Sequence, residues 1–378
     1  MATIIRTSLF NYYLWQPMSK VKFNNKLSPF HDALIARAEA YFKNNNIRQT
    51  GNFMLYHKTI VLGVALVANY ITLVFFTPPG WLSVLLCALL GVTFATIGFN
   101  VMHDGAHGSY SQNKHINNIM AFSLSLMGGS SFMWKVKHNL IHHSFTNIEG
   151  VDEDIDIKPW MRVNDQQPRY WFHRFQHIYW VMLYGATYFL WVFFMDFQKY
   201  FKKRIGDIPL SKMTAKDHIG FWASKITYLS VFIIIPIFKV GLLDTIIGYA
   251  ITAFITGLVI AVVFQLAHIV SDTTFPQPDA ETNKIEQEWA LHQVNTTANF
   301  ATHNKFVSWM VGGLNFQVEH HLFPRISHIH YPAISKLVRD TCNEFNVRYI
   351  EYPTVLSALK AHVRHLKDLG KSHSMKMA

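Results

Sequence analysis

Cysteine and charged residues are both scarce in this sequence, and each shortage argues against a class of protein. Only two cysteines occur among 378 residues, Cys87 and Cys342, and they form no CxxC pair. A disulfide framework, an iron–sulfur cluster or a thiolate zinc site is therefore not expected. Charged residues make up 15% of the chain, whereas soluble proteins contain about 25%. With a hydrophobic content of 50%, this composition indicates membrane spans joined to a substantial water-facing part.

Negative charge is the scarcer sign, and the formal net charge is +11 at pH 7. Such an excess favours binding to nucleic acid or to a membrane. The basic residues flank apolar runs and form no polybasic arm with interleaved aromatic residues. We therefore expect a lipid bilayer as partner and no nucleic acid.

Four apolar runs are long enough to cross a bilayer core of about 30 Å. Short turns join them into two hairpins, 59–76 with 81–102 and 221–238 with 242–267. A fifth run, 178–197, is also long, but a fifth crossing would separate the later polar segments from the earlier ones. We predict an all-α, multi-pass membrane protein with four transmembrane helices, in which 178–197 lies at the interface or enters and leaves on one face.

The polar segments set the division of the chain. An amphipathic helix is predicted from Pro29 to Asn44, with Ser28 as N-cap.

The basic N-terminal segment places the open ends of both hairpins on the cytoplasmic side, by the positive-inside rule. The apolar stretch 119–134 is broken by glycines and serines and is expected to be interfacial or re-entrant. The predicted parts are a cytoplasmic N-terminal segment (1–58), a membrane domain with interfacial helices and a cytoplasmic helical cap (59–345), and a basic C-terminal tail (346–378).

In contrast to cysteine, histidine is abundant, with 21 residues. Three clusters of histidines lie in polar segments beside the predicted membrane boundaries. Histidines four residues apart share one face of an α-helix, whereas His143 would point about 100° away from His142. Imidazole binds iron, zinc or copper well, although a single cluster on a wet basic surface is an equally good reading. The predicted topology puts all three clusters on one face, and seven converging histidines exceed the needs of one ion, so we expect two metals. The clusters are His103 and His107, His138, His142 and His143, and His320 and His321.

The motifs that contain these histidines resemble those of the membrane fatty acid desaturase family. They read His103-Asp-Gly-Ala-His107 (box 1), His138-Asn-Leu-Ile-His-His143 (box 2) and Gln317-Val-Glu-His-His321 (box 3). The glutamine variant resembles the front-end, linoleoyl-CoA desaturase-like branch. The resemblance covers roughly residues 58–345. It implies a non-haem di-iron centre with the seven histidines as ligands, O2 as co-substrate and a fatty acyl substrate.

Two further ligand candidates follow from the resemblance. The family tends to use one more histidine near the end of the last span, and His268 stands there; the alternative is an interfacial histidine with a satisfied hydrogen bond. Gln317 occupies a position where relatives often have histidine. Because an amide is a weaker iron ligand than imidazole, Gln317 either binds through water or lies behind the ligands. His292 is a weaker candidate, and a surface position is the favoured interpretation for it.

Metal-bound histidines usually donate their second N–H group to a carboxylate or a carbonyl. We expect Asp104 and Glu319, which lie inside the boxes, and Asp156 to serve in this way. The remaining C-terminal histidines are expected to be ordinary surface residues: His328, His330, His362, His365 and His373.

The predicted function is an O2-dependent desaturase that introduces a cis double bond into an acyl-lipid or acyl-CoA by di-iron hydrogen abstraction. No side-chain acid or base removes hydrogen from unactivated methylenes, so the chemistry needs iron, O2 and an apolar channel. A di-iron membrane lipid or carotenoid hydroxylase or ketolase would share the boxes and is the alternative. A histidine-rich metal transporter is disfavoured, because the spans contain almost no ionisable residues.

Electrons must come from another protein. The sequence contains no HPGG haem motif, no Rossmann fingerprint and no iron–sulfur motif. We expect an external donor of ferredoxin or cytochrome b5 type, which docks on the cytoplasmic face.

Overall fold

Helices account for most of the computed structural model, which describes residues 21–25, 27–206, 208–210 and 213–371. The longer helices are Pro29–Asn44 (α1), Phe53–Phe76 (α2), Gly80–His107 (α3), Lys114–Leu126 (α4), 131–145 (α5), Trp171–Lys202 (α6), Ala215–Val240 (α7), Leu242–His268 (α8), Trp289–Thr296 (α9), Lys305–Met310 (α10), Gln317–Leu322 (α11), Tyr331–Glu344 (α12) and Val355–Lys371 (α13). Two short 3₁₀ turns, Glu153–Ile155 and His328–His330, lie in the connecting segments.

Strands contribute little and only tie distant segments together. Lys22–Phe23 (β1) pairs in parallel with Lys284–Ile285 (β4), with Lys22 opposite Lys284. Arg204–Ile205 (β2) and Ile208–Pro209 (β3) form an antiparallel pair, and Asn299–Phe300 (β5) pairs in parallel with Glu351–Tyr352 (β6).

Five helices, α2, α3, α6, α7 and α8, are long and apolar enough to cross a membrane. Four of them contain the four predicted spans. The fifth, α6, contains the run 178–197 and extends it to 32 residues, so length and composition alone do not separate it from the others. The chain is therefore an integral membrane protein with five candidate membrane helices, where the sequence predicted four.

The first hairpin differs from the prediction at its polar ends. Helix α2 begins at Phe53, six residues before the predicted run, because the Asn52 side chain accepts a hydrogen bond from the Met54 N–H at 2.9 Å. Helix α3 continues past the predicted end at 102 as far as His107. The first histidine cluster therefore belongs to the same continuous helix as a candidate span, which holds it rigidly.

Helices α6 and α8 approach each other closely at two glycines. A Cβ atom on Gly257 would lie 2.6 Å from the carbonyl oxygen of Gly185 and 2.8 Å from that of Tyr184. Small residues allow such close packing between membrane helices, where the lipid offers no hydrophobic driving force. This contact fixes α8, whose last residue is His268.

A helical cap covers the polar ends of these helices. Helices α1, α9, α11 and α12 share one apolar core that includes Phe30, Leu34, Val294, Val318 and Val338. The observed helix α1 confirms the predicted bounds from Pro29 to Asn44, although the Ser28 side chain makes no capping hydrogen bond.

Part of the predicted C-terminal tail is packed against the membrane helices. Helix α13 buries His362 and Leu366, and the Gln176 side-chain amide of α6 donates to the Leu366 carbonyl at 2.7 Å. The amphipathic pattern of α13 gives it this buried face, so residues 355–371 are an integral element of the fold.

Candidate metal centre

The first histidine cluster lies on the last turns of α3. His103 and His107 are four residues apart and both buried, and their ring centroids are 4.6 Å apart. Gly312 positions the third cluster nearby, because its left-handed backbone (φ 59°) lets it pass so close to α3 that a Cβ would lie 2.5 Å from the Phe99 carbonyl oxygen.

The second cluster is built on a π-helix, Val136–His142, in the middle of α5. The rings of His138 and His142 are stacked, with centroids 5.2 Å apart. A π-helix brings residues five apart onto one face, and the Nε2 atoms of His138 and His143 lie only 3.2 Å apart. The α-helical expectation that His143 points about 100° away is therefore wrong. Single-turn π-helices frequently occur at functional sites.

The third cluster lies on α11 and completes the site. The ring of His320 lies 4.5 Å from those of His103 and His143, measured between centroids. His321 stacks on His143 at 4.4 Å. The convergence of the three boxes that the sequence predicted is thus observed, although the third box follows the second by more than 170 residues.

His268 joins the seven histidines of the boxes. It is fully buried at the end of α8, with ring centroids 4.7 Å from His142 and 4.8 Å from His321. Its neighbours make it part of the cluster, and its role as a metal ligand stays a prediction.

The ring nitrogens fall into two main sets. Four belong to His103, His107, His138 and His320, and we call this set the tetrad; three belong to His142, His268 and His321, and we call it the triad. In each set the candidate ligand atoms lie within 4.8 Å of one another. A third group, His143, His320 and His321, connects the two sets.

The donor set suits metal ions. The Nε2 atoms of His107, His142, His268, His320 and His321 are buried and have no hydrogen-bond partner among the described residues. The Nε2 atoms of His103 and His138 lie 3.2 Å apart. Two ligands of one ion at about 2.1 Å, separated by 90° to 110°, are roughly 3.0–3.4 Å apart. Unpartnered buried nitrogens at this spacing are what a metal centre requires.

The opposite ring nitrogens are held by protein groups, which fixes the tautomers. The His142 Nδ1–H donates to Asp152 at 2.9 Å, and the His321 Nδ1–H donates to the Gln293 side-chain oxygen at 2.8 Å. His320 Nδ1 lies 3.1 Å from the Tyr331 hydroxyl. His268 Nδ1 faces the Thr296 carbonyl oxygen at 3.3 Å.

These partners differ from the predicted ones. Asp156 is exposed and pairs with Lys158, and Asp152 holds His142 instead, because the turn after α5 brings residue 152 beneath the ring. Asp104 bonds Ser327 and His328 and no box histidine. The predictions for Asp156 and Asp104 as partners of box histidines are wrong.

Glu319 points away from the histidines. Its carboxylate accepts hydrogen bonds from Asn299 and Tyr349, both at 2.8 Å, and burial raises its pKa to about 7. Asn299 in turn accepts from the Val318 N–H at 2.9 Å. Glu319 therefore anchors the box-3 helix to β5 and does not contact a ligand ring.

Electrostatics distinguish His142 from its neighbours. Burial and the proximity of other histidines hold the pKa of His138, His143, His320 and His321 well below the ordinary value, so these rings are neutral and able to bind metal. Burial acts on His142 in the same direction, but the charges of Asp152 and Asp154 outweigh it and raise the pKa of His142.

Two aromatic side chains that the sequence did not single out line the cluster. Trp134 is partly exposed and stacks on His138 at 4.3 Å, and Phe264 packs 5.0 Å from His142. Trp134 precedes His138 by four residues and Phe264 precedes His268 by four. That helical spacing from a box residue is the signal that would have found them.

Gln317 and most of the histidines outside the boxes are at least partly buried. Gln317 is buried one turn before His321, and its side chain makes no hydrogen bond with the described residues. His292, His328 and His362 are also buried, so their prediction as surface residues is wrong. His330 and His365 are half-buried and face the backbone carbonyls of Thr50 and Val163. His373 lies outside the described residues.

The fold and the site together define a helical membrane protein with a buried cluster of histidines that suits metal binding. The family model for fatty acid desaturases matches residues 79–353. The acyl-lipid (8-3)-desaturase of Physcomitrium patens is 40% identical to this chain over an alignment that covers 90% of this chain and 72% of that protein.

Two cyanobacterial proteins align over nearly their full lengths. The sn-1 linoleoyl-lipid 6-desaturases of Synechocystis sp. and Arthrospira platensis are 34% and 36% identical over 93% of this chain, which covers 98% and 95% of those proteins. The chain belongs to the fatty acid desaturase family. It is an enzyme, an oxidoreductase that desaturates fatty acyl chains.

Proposed function

We propose that this enzyme is an O2-dependent acyl-lipid desaturase that introduces a cis double bond, with two iron ions in the histidine cluster. The observation that carries the proposal is the convergence of eight buried histidines, six of which have a ring nitrogen without a hydrogen-bond partner among the described residues. The names of its relatives support an acyl-lipid substrate.

The proposed ligands follow the two sets of nitrogens. The tetrad would hold one ion and the triad the other, with His143 between them. Gln317 would act behind the ligands or through water. When bound, the iron ions supply the oxidation of C–H bonds by O2 that no side chain achieves.

The protein's own residues prepare this chemistry. Asp152, Gln293 and Tyr331 hold the rings in one orientation, so the ligand nitrogens need no reorganisation. Burial of the cluster keeps water away from the oxidising centre. Trp134 and Phe264 offer apolar surface beside the two sets, which suits an acyl chain held in one register.

We also propose that α6 does not cross the membrane, which leaves four spans. Near the start of α6, the Gln176 side chain accepts a hydrogen bond from the Arg162 N–H at 2.9 Å. Near its end, Lys199 pairs with Glu153 at 2.8 Å. Because Glu153 and Arg162 belong to one polar loop, these contacts support an α6 with both ends on the same face.

On this proposal the boxes and both termini lie on the cytoplasmic side. Residues 59–345 form the desaturase domain, residues 1–58 precede it, and α13, within the basic C-terminal segment 346–378, adds to the cap. An external electron donor of ferredoxin or cytochrome b5 type would dock on this face. Lys135 and Arg325, which lie within electrostatic reach of His107, support a basic docking region near the tetrad.

Product analysis tests the proposal against a membrane hydroxylase or ketolase. The purified enzyme is given an acyl lipid, O2 and a reduced donor protein, and the acyl chains are analysed by mass spectrometry. We expect chains lighter by two hydrogens. Chains heavier by one oxygen, with no alkene, would instead assign the enzyme to the hydroxylases.

A further inference from the structure

The two sets of histidines differ in the charges that lie behind them. In the triad, the Asp152 carboxylate lies 2.9 Å from His142 Nδ1, and Asp154 lies 3.7 Å from the same atom. The triad therefore has carboxylates directly behind one of its ligands.

Asp152 is the member of this acidic group that has no ion pair with a lysine. Its side chain is 1% exposed, and its other hydrogen bonds come from the neutral N–H groups of Asn147 and Asp154. The nearby lysines pair elsewhere, Lys137 with Asp154 and Lys199 with Glu153. Within the part of the chain that the structure describes, His142 is the only basic group within 4 Å of Asp152. A buried carboxylate needs a positive counterpart, and an ion bound by the triad would supply it.

The charges around the tetrad are more nearly balanced. Lys135 and Arg325 act electrostatically on His107, and Asp104 acts on His103 in the opposite sense. The Asp154 carboxylate also comes within 4.8 Å of His138, but it is paired with Lys137. The Asp104 carboxylate lies 3.1 Å from His328 Nδ1 and 2.7 Å from the Ser327 hydroxyl. Lys58 lies 3.2 Å from the other nitrogen of His328 and offsets that carboxylate. Among the described residues, only one tetrad histidine has a side-chain hydrogen-bond partner at its Nδ1 atom. This partner is the neutral Tyr331 hydroxyl, which lies 3.1 Å from His320 Nδ1.

We propose that the two metal positions are unequal, and that Asp152 makes the triad the tight position and leaves the tetrad the labile one. The inference rests on the proposed di-iron function. The tetrad has one more imidazole, but an imidazole is neutral. A buried negative charge acts on a divalent cation over several ångströms in a medium of low dielectric constant. A carboxylate partner also makes the histidine a stronger ligand, and loss of such a partner typically lowers metal affinity about 10–100-fold.

Metal release tests this inequality directly. The detergent-purified enzyme is loaded anaerobically with Fe²⁺, and release is followed after addition of an excess of a chromogenic chelator. We expect two ions per chain and two phases of equal amplitude, with rates that differ by about tenfold or more. Asp152→Asn should accelerate the slow phase about 10–100-fold and leave the fast phase unchanged.

Two further variants control the experiment. Asp156→Asn removes an exposed acid of the same loop and should alter neither phase. His107→Ala removes a tetrad ligand and should abolish only the fast phase, which tests the assignment even if Asp152→Asn does not fold. Release of both ions in one phase, or loss of the slow phase in His107→Ala, would overturn the inequality alone. A wild-type enzyme that binds no iron would instead refute the di-iron proposal.

Discussion

In four histidines of the centre, the two ring nitrogens have different tasks. In His142, His268, His320 and His321, Nδ1 faces a protein group, and Nε2 has no hydrogen-bond partner among the described residues. His142 combines both features, since Asp152 holds its Nδ1 while its Nε2 is unpartnered. Such a residue joins the buried Asp152 carboxylate to the proposed metal position.

His142→Ala should therefore abolish desaturation without affecting membrane insertion. The variant removes a triad ligand and leaves the Asp152 carboxylate without its basic partner. Product yield and the amount of protein in the membrane fraction measure the two effects. His303→Ala, which changes an exposed histidine, should retain full activity. Undiminished turnover in His142→Ala would remove this residue from the ligand set.

Gln293→Leu should lower iron affinity about 10–100-fold, because the His321 Nδ1–H loses its closer acceptor at 2.8 Å and keeps only the Thr146 hydroxyl at 3.3 Å. Equilibrium binding of Fe²⁺ under anaerobic conditions measures the change. Gln287→Leu alters an exposed glutamine two residues before α9 and is the matched control. Equal affinities for the two variants would show that Gln293 does not position His321.

At the residue scale, the sequence indicated the ligands better than their partners. Each box spans at most six residues, and the spacing of its histidines predicts metal ligands. The partners lie farther along the chain: Gln293 lies 28 residues from His321, and Tyr331 lies 11 residues from His320 in another helix. Only tertiary packing brings such pairs together, so the local guesses Asp104 and Asp156 failed.

At the scale of single elements, hydrophobic runs located the membrane helices but not their ends. Helix α3 continues to His107 because the cap covers its last turns, which a search for apolar residues does not detect. The π-helix at Val136–His142 likewise has no simple sequence signal, since it depends on the hydrogen-bond register of the backbone.

Gly257→Ala should destabilise the α6–α8 contact by about 1–3 kcal/mol, because the added methyl group meets backbone oxygens that cannot move aside. Thermal unfolding in detergent measures the loss. Gly220→Ala in α7 adds a Cβ with no heavy atom within 4 Å. This control should be neutral or stabilise the helix by up to about 1 kcal/mol. Equal melting temperatures for the two variants would contradict the close packing of α6 and α8.

At the scale of the whole molecule, the sequence predicted a single polar face that carries all three boxes. The boxes do meet in one cluster, as that reasoning required. The helix count remained ambiguous because α6 is long and apolar enough to cross a membrane, although it is the least apolar of the five helices. Its proposed interfacial position rests on polar contacts at both ends.

Cysteine labelling tests this topology. Both native cysteines are buried, so an introduced cysteine at an exposed site dominates the signal. Lys216→Cys, at the start of α7, should react with a membrane-impermeant reagent only from the cytoplasmic side. Thr77→Cys, in the turn of the first hairpin, should react only from the opposite side. Labelling of both positions from the same side would contradict the four-span arrangement.

The central claim is that this chain desaturates acyl lipids through its histidine cluster. Its most direct test is the fatty-acid profile of a host that lacks polyunsaturated lipids, after expression of the enzyme with a compatible electron donor and a supplied acyl substrate. We predict new fatty acids with one additional double bond for the wild-type enzyme and none for His142→Ala. An unchanged profile for the wild-type enzyme, or the same new products from both proteins, would contradict the account.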